Sequence, residues 1–364
     1  MKIKIPSLDG WRALSIFFVL CSHLQYSYGI PSGLQFLLKT IFNDGILGVQ
    51  CFFIISGFII TLLLIEEFDK NGKNNLKYFY IRRVLRIFPL YFLYLLVIYC
   101  LQTTTIFLQS NAVWIENLTF TTGLGYPGIH SWPTGHLWSL AVEEQFYLIW
   151  PILFVVLKLY HRQNLAFSIL AFPVIFAPFC RVITYLHFNN DILLFILNIF
   201  SFLNNCDSLS FGCIAAFIYK KYNRYYDQQT IFVKYTYLII GIASIIVPAI
   251  LRKFYLCGFF TVPFGNTLQS IGFVILILQS IRSYAEFPYR ILNSRLFVTV
   301  GLLSFSIYIW QQIFIKPSIF GFESSLFFTF PGCLASIIVC SIISYYIIEK
   351  PISKLKKHFV SIGS

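Results

Sequence analysis

The stretch GILGVQCFFIISGFIITLLLIE, residues 45–66, carries no charge before its final residue. At 1.5 Å of rise per residue, about twenty such residues cover the hydrocarbon core of a bilayer, roughly 30 Å thick. Blocks of comparable length and apolarity recur along the chain. They fall near residues 12–30, 84–102, 137–157, 165–187, 203–219, 235–251, 259–281, 297–315 and 326–348. Hydrophobic residues make up 58% of the 364-residue chain and charged residues 11%, against about 25% charged in soluble domains. The pattern predicts an all-α fold, a polytopic transmembrane helical bundle of about ten spans. The sixth block is the weakest, because Asn204, Asn205 and Asp207 interrupt it, and a start near Ile192 is an alternative.

Short loops rich in Lys and Arg stay in the cytoplasm. With the N-terminus placed inside, the segments around Lys2 and Arg12, 70–86, 158–162, 220–234, 282–295 and 350–357 hold 22 of the 27 basic residues. Lys39, Arg181, Arg252, Lys253 and Lys316, five in all, fall outside. This asymmetry predicts that both N- and C-termini are cytoplasmic. It also accounts for the net charge of +13 without nucleic acid, since the cations sit beside spans and form no basic soluble face. The first span has no small-residue cleavage site and reads as a retained helix. A single membrane domain over residues 1–364, with no appended soluble domain, is expected. The nine cysteines include no C-x-x-C pair and no metal-ligand spacing, so they read as apolar packing residues and no metal site is expected.

An ionisable side chain at the centre of a span costs about 2.5–3.5 kcal/mol or more, so those that persist usually face a cavity and serve a function. Of six histidines, His23 alone falls in the interior of a predicted span, His187 being the terminal residue of another. Asp9, Arg12 and His23 lie on one helical face, a polar stripe climbing from the cytoplasmic edge. His23 reads either as a structural histidine bonded to a neighbouring helix or as a general base. In HLWSLAVEEQFY, residues 136–147, Ser139, Glu143 and Tyr147 recur every four residues and share a face, which selects Glu143 over Glu144 as the working carboxylate. The plainer alternative leaves both acids solvated among headgroups. Counting from the inner helix ends puts His23 about 16 Å and Glu143 about 21 Å up, so the two are expected to meet, the carboxylate holding the imidazole tautomer. Arg82, Arg83 and Arg86 stand at the cytoplasmic mouth of the third span. Arg83 and Arg86 form a fork for phosphate oxygens, or the trio is simply a stop signal. Ser304, Tyr308 and Gln311 share another face, explicable by interhelical hydrogen bonds. Gly48, Ser56 and Gly57 mark close helix packing.

Taken together, Leu8-Asp9-Gly10 with Arg12 and His23, the Phe-Phe-x-x-Ser-Gly-Phe stretch ending at Phe58, and Arg83-x-x-Arg86 with Pro89 and Tyr91 resemble the membrane acyltransferase family 3. Trp138-Ser139-Leu140 through Glu143 to Tyr147, Trp150 and Pro151, then Asp207 with Gly212, Ser304 to Trp310, and Ile348-Glu349-Lys350-Pro351 extend the resemblance over nearly the whole chain. Members are integral membrane enzymes that acylate sugars and other hydroxyl compounds. The resemblance implies an active histidine at His23, a conserved acid at Glu143, a first-helix polar pair at Asp9 and Arg12, and a donor-binding Arg-x-x-Arg at Arg83 and Arg86, with Arg82 beside it. Tyr147, Ser139, Tyr308 and Gln311 are the candidate substrate contacts. This chain departs from the family pattern at Gln50, where many members have Asp, at Asn205, where Arg often precedes the Asp207 position, and at Gln311, where His is common. No outer esterase-like domain, which some members append, is expected.

These readings combine into one expectation. Acyl-CoA, acetyl-CoA in the first instance, is the donor substrate, with no tightly bound cofactor. Its phosphates dock from the cytoplasm near Arg83 and Arg86, and its acyl group reaches His23 for transfer to a hydroxyl of a cell-surface carbohydrate such as a lipopolysaccharide O-antigen or exopolysaccharide. Transfer is direct or passes through an acyl-enzyme. The partners are membrane lipids, acyl-CoA and the carbohydrate acceptor, with a homo-oligomer left open, in the inner membrane of a bacterium. The rival reading is a transporter or flippase whose permeation path uses the same polar residues. A scaffold for glycan assembly is a third. The outer stretch Gln102 to Gly135, aromatic and free of Lys and Arg, suits either acceptor stacking or an interfacial belt.

Overall fold

The computed structural model describes Ile5, residues 7–122, 131–186, 201–222, 230–355 and Phe359. Lys2, Lys4, Arg224, Lys356 and Lys357 of the charge pattern, the alternative start near Ile192, and residues 123–130 of the outer stretch lie outside the described residues. The described residues form helices and turns, with one isolated parallel bridge between Tyr28 and Thr329.

Long helices occupy the places that the apolar blocks predict. They are α1 Leu8–Leu24, α2 Ile46–Asn71, α3 Leu76–Thr104, α4 Trp138–Val156 and α5 Gln163–Leu186. Then follow α6 Phe202–Tyr222, α7 Ile231–Lys253, α8 Gly258–Arg282, α9 Arg295–Ile315 and α10 Gly332–Ser344, the last continued by a π-helical turn, Tyr345–Glu349. Eight helical segments are long and apolar enough to cross a membrane; α1 and α6 fall outside that set. α1 has 17 residues and begins at Leu8, so the predicted span of 12–30 is displaced toward the N-terminus. Its polar positions are sheltered, because α1 packs between α2 and α9 and α6 packs between α2 and α5.

α2 is the centre of the bundle. In its most apolar window 72% of residues are buried, against 11% in α7, whose exposed Ile239, Ile240 and Ile246 present a lipid-facing surface. The small residues of α2 make its central position feasible. Gly57 lies against the Leu209 carbonyl of α6, and Gly212 of α6 lies against the Ile54 carbonyl of α2. A Cβ at either position would collide with backbone, so the two helices approach as closely as only glycine permits. Gly48 packs in the same way on Ser15 of α1.

α1 and α9 run side by side in the same direction, from Gly301 against Asp9 at one end to Gln311 against His23 at the other. The start of α1 is pinned by the Trp11 indole N–H, which donates to Ser280 Oγ at 2.8 Å, and by the Ser7 amide, which donates to Asn293 Oδ1 at 2.8 Å. These contacts fix the register of Asp9, Arg12 and His23.

Arg181, counted by the charge pattern among the cations of the outer side, is buried in α5. Its Nη2 stands 2.7 Å from Asp207 Oδ1 of α6 and donates to the Asn204 carbonyl at 2.7 Å, while Nη1 donates to Thr267 Oγ1 at 3.0 Å. Thr267 in turn donates to Asp207 Oδ2 at 2.8 Å. Asn205, where the family pattern often has Arg, donates instead to the Ser201 carbonyl at 2.9 Å.

Two predictions concern this packing. Gly57→Leu lowers stability by about 1–3 kcal/mol through overpacking, read as a fall in melting temperature of the purified protein, whereas Gly33→Ala, at a position open for a methyl group, leaves it unchanged. Asp207→Ala costs about 3–5 kcal/mol because it strands the buried Arg181, and the double variant Arg181→Met with Asp207→Leu regains most of that loss.

Candidate active site

Five helices enclose a polar cavity within the bundle. Arg12 comes from α1, Ser56 from α2, Arg83 and Arg86 from α3, Ser139, Glu143 and Tyr147 from α4, and Ser304 and Tyr308 from α9. The four-residue repeat predicted for Ser139, Glu143 and Tyr147 delivers all three side chains to it. Each helix contributes its polar face here because no other place in the bundle offers these groups partners away from lipid.

Three guanidinium groups and one carboxylate dominate the cavity's charge. Arg12 is tied to Asp9 at 3.0 Å, as their spacing predicts. Arg83 lies over the Tyr147 ring, its Cζ 5.0 Å from the centroid, and also faces Phe79 at 5.6 Å. Among the described residues, neither Arg83 nor Arg86 enters an ion pair within 4.0 Å. Arg82, expected beside them, faces elsewhere. It approaches Glu67 at 3.7 Å and donates to the Phe359 carbonyl at 2.7 Å, because adjacent helical residues point about 100° apart. Glu143 accepts from Ser56 Oγ at 2.7 Å and from the Tyr147 hydroxyl at 3.0 Å. Ser56, read from the sequence as a packing residue, is therefore also a hydrogen-bond partner of the carboxylate.

The expected meeting of His23 with Glu143 does not occur. His23 is absent from the cavity wall, and its Nδ1 stands 3.2 Å from Gln311 Oε1. Residue counts along separate helices fixed approximate depth but not register. α4 brings His136 and Ser139 to the level of Tyr308, which leaves Glu143 a turn further from Gln311 and His23. Where the Gln311 amide oxygen accepts from the ring, the neutral imidazole carries its proton on Nδ1 and keeps a lone pair on Nε2.

Tyr308 lines this cavity on the side of the His23–Gln311 pair. Its hydroxyl donates to the His136 carbonyl at 2.6 Å and lies 2.6 Å from Ser139 Oγ. One turn further along α9, Gln311 meets His23. The His136 ring packs on Tyr308 at 5.2 Å and on Tyr94 at 5.5 Å. His136 escaped the sequence reading because it sits just before the predicted span 137–157; its adjacency to the Trp138-Ser139-Leu140 motif was the available signal. Of the candidate substrate contacts, Ser139, Tyr147 and Tyr308 line the cavity, whereas Gln311 is fully buried against His23.

An O-acetyltransferase of Staphylococcus aureus, OatA, is 27% identical over 382 residues, covering 96% of this chain and 57% of its own length. Peptidoglycan O-acetyltransferase OatA of Listeria monocytogenes is 33% identical over 182 residues, 45% of this chain and 26% of its own. A further Staphylococcus aureus relative is 28% identical over 329 residues, 84% of this chain and 50% of its own, so the chain spans about half the length of the curated relatives it matches. No solved structure matches the chain significantly. The family described as the acyltransferase domain matches residues 5–345, the whole stretch that builds the cavity, and the chain belongs to that family.

Proposed function

We propose that this membrane protein is an O-acetyltransferase, moving an acetyl group from cytoplasmic acetyl-CoA to a hydroxyl of a cell-surface carbohydrate. The observation that carries the reading is the cavity itself. Two guanidinium groups without a close carboxylate, Arg83 and Arg86, share it with Arg12, and an imidazole with an available Nε2 stands beyond Tyr308. Guanidinium forks suit phosphate oxygens, and the coenzyme carries several. The family and the names of the relatives support acetyl transfer to oxygen, and one relative's name supports a wall glycan as the acceptor class.

In this reading the coenzyme phosphates lie against Arg83 and Arg86, and the thioester passes Tyr308 toward His23. His23 Nε2 takes the proton of the acceptor hydroxyl as its oxygen bonds to the thioester carbonyl carbon. The C–S bond then breaks, and the imidazolium returns its proton to the departing thiolate, so that ester and free coenzyme thiol result. An acyl-enzyme on His23 would divide the same bond changes into two steps. Gln311 positions the ring. Glu143, held by Ser56 and Tyr147, balances the arginine charge and fixes Tyr147 beneath Arg83.

The first test is kinetic, with protein reconstituted in liposomes. His23→Ala lowers transfer by about 10²-fold or more while acetyl-CoA binding is kept. Full transfer by this variant would refute the assignment. Arg86→Gln raises the KM for acetyl-CoA about tenfold, in line with loss of a charge-assisted contact, but leaves the KM for S-acetylpantetheine, which lacks the coenzyme's phosphates, unchanged. Arg82→Gln affects neither donor.

The second test concerns Tyr308. Tyr308→Phe removes both hydrogen bonds of the hydroxyl and keeps the ring. Thiol release from acetyl-CoA without acceptor is expected to rise about threefold relative to transfer, about what loss of one modest hydrogen bond permits. An unchanged ratio would show that Tyr308 does not control passage.

A further inference from the structure

At the end of the bundle remote from Arg83 and Arg86, three side chains converge on Trp132. The His23 ring meets the indole edge-on with centroids 5.8 Å apart, and the Tyr26 ring does so at 5.3 Å. Lys316, directly after α9, places Nζ 5.2 Å from the Trp132 ring centroid. The indole is itself held, its N–H donating to the Gln312 carbonyl at 3.1 Å. Lys316 and His23 therefore flank one anchored ring and stand at most about 11 Å apart, a gap that one sugar residue and its substituent bridge.

The charge at this place is uncompensated. Among the described residues, no carboxylate lies within 4.0 Å of Lys316, which is half-buried. Arg252 and Lys253, two other cations predicted for this side, end α7 and have partners there. Lys253 donates to the Thr40 carbonyl at 2.7 Å, and Arg252 donates to Gln269 at 2.9 Å. Tyr26 is 53% exposed and offers an aromatic face beside the lysine. A cation held by an indole, without a counter-ion and next to an imidazole, is prepared for an anionic ligand.

We propose that Tyr26, Trp132 and Lys316 form the acceptor site, and that Lys316 selects carbohydrates bearing an anionic substituent, a carboxylate or a phosphate, close to the hydroxyl presented to His23. The part of this proposal that concerns the acylated hydroxyl rests on the acyl-transfer reading of His23; the binding preference does not. Trp132 serves as the anchor that keeps the cation within one sugar residue of the imidazole. Tyr26 covers the sugar ring.

Binding measured by isothermal titration calorimetry on the detergent-purified full chain tests the charge preference without requiring catalysis. The probes are cellobiose, cellobiouronic acid and cellobiose 6-phosphate, alike in ring structure and different in charge. The charged disaccharides are expected to bind about fivefold more tightly than cellobiose at low salt, the scale of one favourable ion pair, and the advantage shrinks as salt is raised. Lys316→Gln abolishes the advantage, and Lys316→Arg keeps it. The better of the two charged probes identifies carboxylate or phosphate as the preferred group. Equal binding of all three probes by the unmodified protein, or an advantage that survives Lys316→Gln, overturns the proposal. A charge preference in a protein that transfers no acetyl group would leave this site standing and refute the acyl-transfer reading. Transfer without a charge preference would do the reverse.

Discussion

A guanidinium group cannot rest against hydrocarbon, and three of them share one cavity inside this bundle. Arg12, Arg83 and Arg86 come from α1 and α3, and the polar faces of α2, α4 and α9 close around them. The cavity is the common solution for all five helices, since each keeps its polar groups away from lipid by giving them to the same space. The apolar remainder of each helix then meets lipid or the tightly packed core around α2. Gly57, Gly212 and Gly48 let the central helices approach closely enough for that core to form.

The polar groups divide into two compartments. Below Tyr308 lies the cavity of arginines, with Glu143 bonded to Ser56 and Tyr147. Beyond Tyr308 lies His23, bonded to a neutral amide and facing Trp132. An imidazole bonded to Gln311 lacks the carboxylate that raises basicity in triad-like sites, so its contribution rests on tautomer and position more than on added basicity. Between the two stands Tyr308, its hydroxyl held by the His136 carbonyl and Ser139. That layout suits chemistry in which donor and acceptor approach from opposite sides.

The sequence reading was most reliable where a residue's partners lie on its own helix. Asp9 with Arg12, and Ser139 with Glu143 and Tyr147, follow from 3.6-residue periodicity and stand where that periodicity places them. Periodicity also assigns Arg83 and Arg86 to one face, and the departure of Arg82 from that face follows from the same rule. The reading failed where two helices had to be aligned against each other. His23 was matched to Glu143 by counting residues along each helix, whereas the sliding of α4 against α9 brings His136 and Ser139 to that level instead. Arg181 likewise was read only as a cation of the outer side, whereas it pairs with Asp207, 26 residues further along.

The amino-acid sequence by itself determined the solvent of this protein, the approximate limits of its long helices, and the side chains that share each helical face. Those properties depend on local hydrophobicity and on the fixed geometry of the helix. Only the tertiary structure decided that His23 answers to Gln311, that Tyr308 is held by His136 and Ser139, and that Lys316 meets Trp132. Such pairings depend on the register and rotation of one helix against another, set by glycine contacts and hydrogen bonds between distant segments, such as Trp11 with Ser280, that no local pattern encodes.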